Sequence, residues 1–215
     1  MKSNDQQINQ DSGNTEWYTP DEIMEIVRAM LGVIELDPAS NQIANARVKA
    51  GRIFTSKDDG LAQDWKAGTL WLNHPFSKGE QPCKVYKSQH LIDQGLSPCK
   101  KKACVDRGYH IEKEVPSNKR WIDKLISEFE KGHFKRGCCI AFASTSEAWF
   151  KPLLDYPQIF LYGRVNFMND KGEQIKGVTK GAVITCFGLT IEEIEKAVGD
   201  KGKVKFSSDY LNTTG

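Results

Sequence analysis

The feature that most constrains this chain is the alternation of two hydrophobic periods, helical segments trading places with short, nearly continuous apolar runs. Thr19-Pro20 with Glu22 reads as a capping box with proline at the first helical position. Ile23, Ile26, Val27, Met30 and Leu31 then lie on one helical face, and Gly32 stops the helix. Strands are predicted at 33–36, 69–72, 137–143 and 182–187, with shorter ones at 52–55, 158–162 and 164–167. Residues 58–65 read as a loop or short helix, and 169–172 as a turn. Further helices are predicted at 117–131 (Trp121, Leu125, Phe129), from Ser144 and Glu147 through Trp149 and Phe150, and at 190–198, capped by Thr190 and Glu193. Such alternation favours an α/β sheet with helices on both faces. Ligands in these sheets bind at the carboxyl ends of strands.

A length of 215 residues suits one domain with one insertion. With 39% apolar and 27% charged residues, the composition is that of a soluble globular protein. The apolar runs are too short to span a bilayer, and no secretory leader pattern opens the chain. A cytoplasmic protein without membrane partners is expected, its six cysteines reduced, metal-bound or buried. Residues 1–14 read as a disordered arm and 207–215 as a tail. The main domain is then 15–77 with 117–206. Residues 78–116 break the pattern and read as an insertion. Between 78 and 120 there are ten Lys or Arg against five Asp or Glu, a balance of +5, which leaves −3 for the remainder of a chain of net charge +2. Such a segment is either an electrostatic footprint for a polyanion or a solvated loop.

The strand 69–72 runs directly into Asn73-His74-Pro75-Phe76-Ser77. A turn of this composition can hold an amine for chemistry. The Asn73 carbonyl and a nearby backbone carbonyl accept hydrogen bonds from an NH2 group. Pro75 stiffens the backbone, and Phe76 offers a face for a base to stack on. At the end of an earlier strand, Asp37-Pro38-Ala39-Ser40 is either a turn or an acidic site for the ribose hydroxyls or ammonium group of a nucleoside cofactor. Asp37 and Asn73 in one crevice pair that cofactor with a positioned amine, which points to methyl transfer from S-adenosylmethionine.

Five pieces, in order, resemble the phage-type Dam family of DNA N6-adenine methyltransferases. They are Trp17-Tyr18-Thr19-Pro20, Leu36-Asp37-Pro38-Ala39-Ser40, Asp59-Gly60-Leu61 with Trp65, Trp71 through Ser77, and Gly163-Arg164-Val165-Asn166-Phe167. The resemblance implies a Rossmann-like fold binding S-adenosylmethionine and acting on double-stranded DNA. It implies that Trp17, Thr19, Pro20, Asp37, Ala39 and Asp59 line the cofactor site. Asn73, His74, Pro75 and Phe76 take the place of the family's Asn-Pro-Pro-Tyr catalytic motif, with Ser77, Arg164 and Phe167 beside the target base. His74 departs from the family's proline, as a general base or as a tolerated substitution.

Cys83, Cys99, Cys104 and His110, with His90 in reserve, are spaced C-x15-C-x4-C-x5-H. A basic insertion without its own core can fold around a structural Zn2+ held by these ligands, or carry the thiols unliganded in a loop. Lys100, Lys101 and Lys102 are placed to grip DNA phosphates. Cys138, Cys139 and Cys186 fall in apolar strands and read as core. Three functions follow: adenine-N6 methylation of DNA, cytosine-N4 methylation on the same fold, or DNA binding by a non-catalytic relative.

Overall fold

The structure, a computed structural model, describes residues 17–83, 104, 111, 113–175, 178, 180–208 and 210. It divides into two compact units. The larger comprises Glu16–Phe76 and Lys119–Gly215 and holds one sheet of seven strands. These are β1 (Leu36–Asp37), β2 (Arg52–Ile53), β3 (Ala67–Leu72), β4 (Phe134–Phe142), β5 (Gln158–Leu161), β6 (Ala182–Phe187) and β7 (Gly202–Lys205). The helices are α1 (Asp21–Leu31), α2 (Gln42–Val48), α3 (Asn118–Glu130) and α4 (Ile191–Val198).

The strand order is β2-β1-β3-β4-β6-β5-β7. Pairings from β2 through β4 are parallel, and those of β6 with β4 and β5, and of β7 with β5, are antiparallel. β1 to β5 therefore all point the same way, with β6 reversed between β4 and β5. Strands buried on both faces need apolar residues at every position, which explains the continuous runs in β4 and β6. On one face Trp71, Cys138, Ile140, Ile184 and Cys186 meet α1 and α4. On the other, Leu70, Leu72, Cys139, Val183 and Phe187 meet Trp121, Ile122 and Leu125 of α3. Each fully buried aliphatic or aromatic side chain contributes about 1.5–3 kcal/mol of transfer free energy. Arg136 ties the first face together from β4, donating to the Met30 carbonyl (2.6 Å) and pairing with Glu193 (3.0 Å). The mixed α/β class and the α4 capping box are as the sequence indicates: Glu193 N donates to Thr190 Oγ1 (3.2 Å), and Thr190 N to the Glu193 carboxylate (2.9 Å).

Several elements differ from expectation. Pro20, not Thr19, is the N-cap of α1, and it makes no side-chain cap bond; the Thr19 hydroxyl is engaged elsewhere. β1 is only two residues long, because Thr69 Oγ1 takes the Glu35 N–H (3.0 Å) that a longer ladder would use. No helix opens at Ser144. Single turns lead into a 3-10 helix, Lys151–Asp155, where Pro152 cannot donate to an α-helical ladder. Residues 164–167 form no strand; pairing there is limited to bridges from Met168 to Tyr18 and Gln174. Two elements escaped the sequence reading. α2 is short and mostly solvent-facing, capped by Asn41, whose Oδ1 accepts from Ala44 N (2.9 Å). β7 is an edge strand of alternating burial.

The smaller unit includes Ser77–Asn118. Its described ends run antiparallel. Asn118 N donates to Ser77 O (2.8 Å), Glu80 and Val115 exchange both backbone bonds (3.0 and 2.9 Å), and Cys83 N donates to Ile111 O (3.1 Å). No helix among the described residues is long and apolar enough to cross a membrane.

Candidate functional site

Three strand ends and one backbone strap make the site. β1 and β3 are parallel neighbours with Leu36 level with Leu70. Asp37 thus stands level with Trp71, and Asn73 lies two residues beyond it across one strand spacing, about 8 Å away at Cα. Residues 17–19 cross these ends as a strap. Tyr18 exchanges backbone bonds with Met168 (2.9 and 2.8 Å), and its hydroxyl accepts from Asn41 Nδ2 (3.1 Å). Asn73 Nδ2 donates to the Trp17 carbonyl (2.7 Å) and to Thr19 Oγ1 (3.1 Å). The strap therefore ties the turn after β3 to Met168 and to the cap of α2.

Asp37 is 2% exposed. Burial drives its carboxyl up from 3.8 to about 7, against the bond from the Ala39 N–H (3.2 Å), which favours the ionised form. Carboxylates in such surroundings gain from any cationic or hydroxylic ligand that replaces water. Asp59 lies close by in the chain's path. It is exposed, with φ of 52°, and the next residue, Gly60, packs so tightly that a Cβ there would stand 1.9 Å from the Pro38 carbonyl. Only glycine lets this loop close on the Asp37 turn.

The turn after β3 sends its side chains two ways. Phe76 is half-buried among Phe142 (centroids 4.5 Å apart) and Phe167 (5.8 Å), and Trp17 packs edge-on against both. His74, 1% exposed, meets Trp121 of the opposite core (6.5 Å) and the edge of Phe76 (5.4 Å). Its ring is a packing element in this conformation. Pro75 is exposed. Phe167 is fully buried and buttresses Trp17 and Phe76.

Arg164 is exposed, and its guanidinium lies at the backbone of Gly181, 3.0 Å from where a Cβ would stand. Gly181 O accepts from Ala143 N (2.9 Å), just past the end of β4. Lys180 Nζ sits 5.8 Å from the centroid of Phe142. Sequence reasoning overlooked Phe142 and Lys180. The rule that singled out Asp37 and Asn73, attention to strand carboxyl ends, applies equally to Phe142 at the end of β4; Lys180 carries no such signal.

In the smaller unit Ser77 N donates to Asn118 Oδ1 (3.1 Å). The Cys83 and Cys104 sulfurs, 21 residues apart in sequence, are 3.0 Å from one another. His90, Cys99, Lys100, Lys101, Lys102 and His110 lie outside the described residues, and among the described residues no cluster of three metal-ligating side chains occurs. Cys138, Cys139 and Cys186 are buried in the sheet, where desolvation holds the first two as thiols.

The family model for DNA N-6-adenine-methyltransferase (Dam) matches residues 6–203. No curated protein and no solved structure gives a match.

A raised carboxyl pKa makes Asp37 a pH-dependent cost. The folded protein binds this proton more tightly than the unfolded chain, so the associated stability is present below pH 3.8 and is lost as pH rises through about 7. Asp37→Asn, which mimics the neutral acid, is therefore predicted to gain on wild type between pH 5 and pH 8 by about 2–3 kcal/mol in denaturant unfolding. A pH-independent difference contradicts this assignment.

Proposed function

The chain belongs to the DNA N-6-adenine-methyltransferase (Dam) family, and from that premise we propose that it methylates the N6 amine of an adenine flipped out of double-stranded DNA, at a defined site, using S-adenosylmethionine. One observation carries the reading: the Asn73 amide is fixed by two hydrogen bonds at the carboxyl end of β3, next to the strand that ends in the buried Asp37. The buried acid suits the cofactor's ammonium or ribose hydroxyls, so the chain's residues fit that molecule. Trp17, Thr19, Pro20, Ala39 and Asp59 complete its binding site. When bound, it supplies a methyl group on a positively charged sulfur.

The residues do the rest. Adenine N6 is a poor nucleophile because its lone pair is shared with the ring. Asn73 Oδ1 and the backbone carbonyl of residue 74 accept its two hydrogens, which favours a pyramidal nitrogen with an exposed lone pair. Positioning of this kind is worth several kcal/mol of the barrier. Phe76 provides the stacking face for the extruded base, and the buried Phe142 and Phe167 hold that face in place. The amine's acidity rises as it is alkylated, so no strong base is required, and His74 serves packing. Arg164 lies beside the target base and Lys180 meets a phosphate, while Ser77 and the lysines 100–102 of the insertion make DNA contacts of their own.

Incubation of DNA with methyl-labelled cofactor, followed by nucleoside digestion, is expected to yield N6-methyldeoxyadenosine. Asn73→Ala is expected to lower transfer by at least about 10³-fold with its circular dichroism retained. Label on cytosine, or none with DNA still bound, contradicts the assignment. Full activity in Asn73→Ala contradicts the mechanism.

The proximity of Cys83 to Cys104 supports a structural Zn2+ in the insertion, with Cys99 and His110 as the remaining ligands. Protein purified without added metal is expected to carry about one equivalent of zinc. A zinc content below roughly 0.2 equivalent, or two thiols lost to a disulfide under reducing preparation, overturns that site.

A further inference from the structure

Asn73 is held by two groups that both accept hydrogen bonds from the same atom. The Trp17 carbonyl oxygen, 2.7 Å away, can only accept, so the NH2 end of the amide must face it. The orientation of this amide is therefore set by chemistry rather than by choice between two similar atoms. Thr19 Oγ1 accepts the second amide hydrogen at 3.1 Å, and Thr19 is 4% exposed. Among the described residues nothing donates to Asn73 Oδ1. Trp17 itself is anchored through Tyr18, which is paired on both backbone groups with Met168.

We propose that Thr19 and the Trp17 carbonyl are positioning groups that orient the Asn73 amide, turning Oδ1 toward the substrate amine, and that position 73 consequently requires an amide rather than a carboxylate. The inference rests on the function proposed above and adds the device that aims its central residue. An aspartate at 73 would press one carboxylate oxygen against the Trp17 carbonyl oxygen where the NH2 now stands. A proton on that oxygen restores a donor toward Trp17 and leaves the other oxygen as acceptor. The defect of such a variant is therefore reversible by acid.

Titratable groups on the elements that meet here are Tyr18 on the strap, Asp21 and Glu22 at the start of α1, Asp37 on β1, His74 on the turn, and Arg164 and Lys180 on the rim. All remain in wild type and variants, so ratios between proteins at each pH cancel their contributions.

The test compares wild type with Asn73→Asp, Thr19→Val and Thr19→Ser. For Asn73→Asp, the kcat ratio to wild type is expected to be below about 10⁻² at pH 8 and to rise at least tenfold by pH 5.5. Its melting temperature relative to wild type should likewise fall as pH rises, a readout that needs no activity. Thr19→Val is expected to lower kcat about tenfold with the KM for DNA unchanged, and Thr19→Ser to restore kcat within twofold. A pH-independent kcat ratio and melting difference for Asn73→Asp, or equal kcat in Thr19→Val and wild type, overturns the proposal. Absence of methyl transfer by wild type itself counts against the function; a pH-dependent melting difference in that case still supports the amide's orientation.

Discussion

The structure depends on one interaction between a side chain and a backbone: the Asn73 amide bonded to the Trp17–Thr19 strap. The sheet places Asn73 and Asp37 at adjacent carboxyl ends, but a strand end alone leaves a side chain free to rotate. The strap removes that freedom and links the turn after β3 to Met168 on one side and to Asn41, the cap of α2, on the other. Every residue of the strap has a structural duty. Trp17 offers a carbonyl and an aromatic edge, Tyr18 pairs its backbone, Thr19 offers a hydroxyl, and Pro20 begins α1.

The electrostatics of the crevice follow from the same packing. Asp37 is buried at the end of β1, and that burial pushes its carboxyl up toward neutrality. A carboxyl buried in this way costs the fold stability as pH rises through its titration. Strain and desolvation of this kind are concentrated where ligands bind. By contrast, Glu128, also buried, is met by His133 (2.7 Å), Lys124 (3.0 Å) and the Trp65 N–H (3.3 Å), and those partners outweigh its burial. The two acids are thus pushed in opposite directions, Glu128 down by its partners and Asp37 up by its burial.

Much of the fold was legible because its signals are local. The apolar runs of β3, β4 and β6, the heptad-like face of α1 and the Thr190–Glu193 box each announce themselves within a dozen residues. Errors arose where tertiary partners outbid local ones. Thr19 looks like a cap, yet its hydroxyl goes to Asn73 across 54 positions of sequence. The segment from Ser144 has capping chemistry but meets Pro152. Residues 164–167 carry strand-forming side chains, whereas Phe167 is buried against Trp17 and Phe76 and the segment joins no ladder. In the candidate site, Asp37 and Asn73 could be named from strand ends alone. The two bonds that aim Asn73 could not, since nothing in a linear reading brings residue 17 to residue 73.

The most direct test is a crystal structure of the protein with a cognate DNA duplex and an unreactive cofactor analogue. The account predicts an adenine turned out of the helix, stacked on Phe76, with its N6 about 3 Å from Asn73 Oδ1 and the Asn73 NH2 still on Trp17 and Thr19. A target base left in the duplex, or an Asn73 amide presenting its nitrogen to the amine, contradicts it.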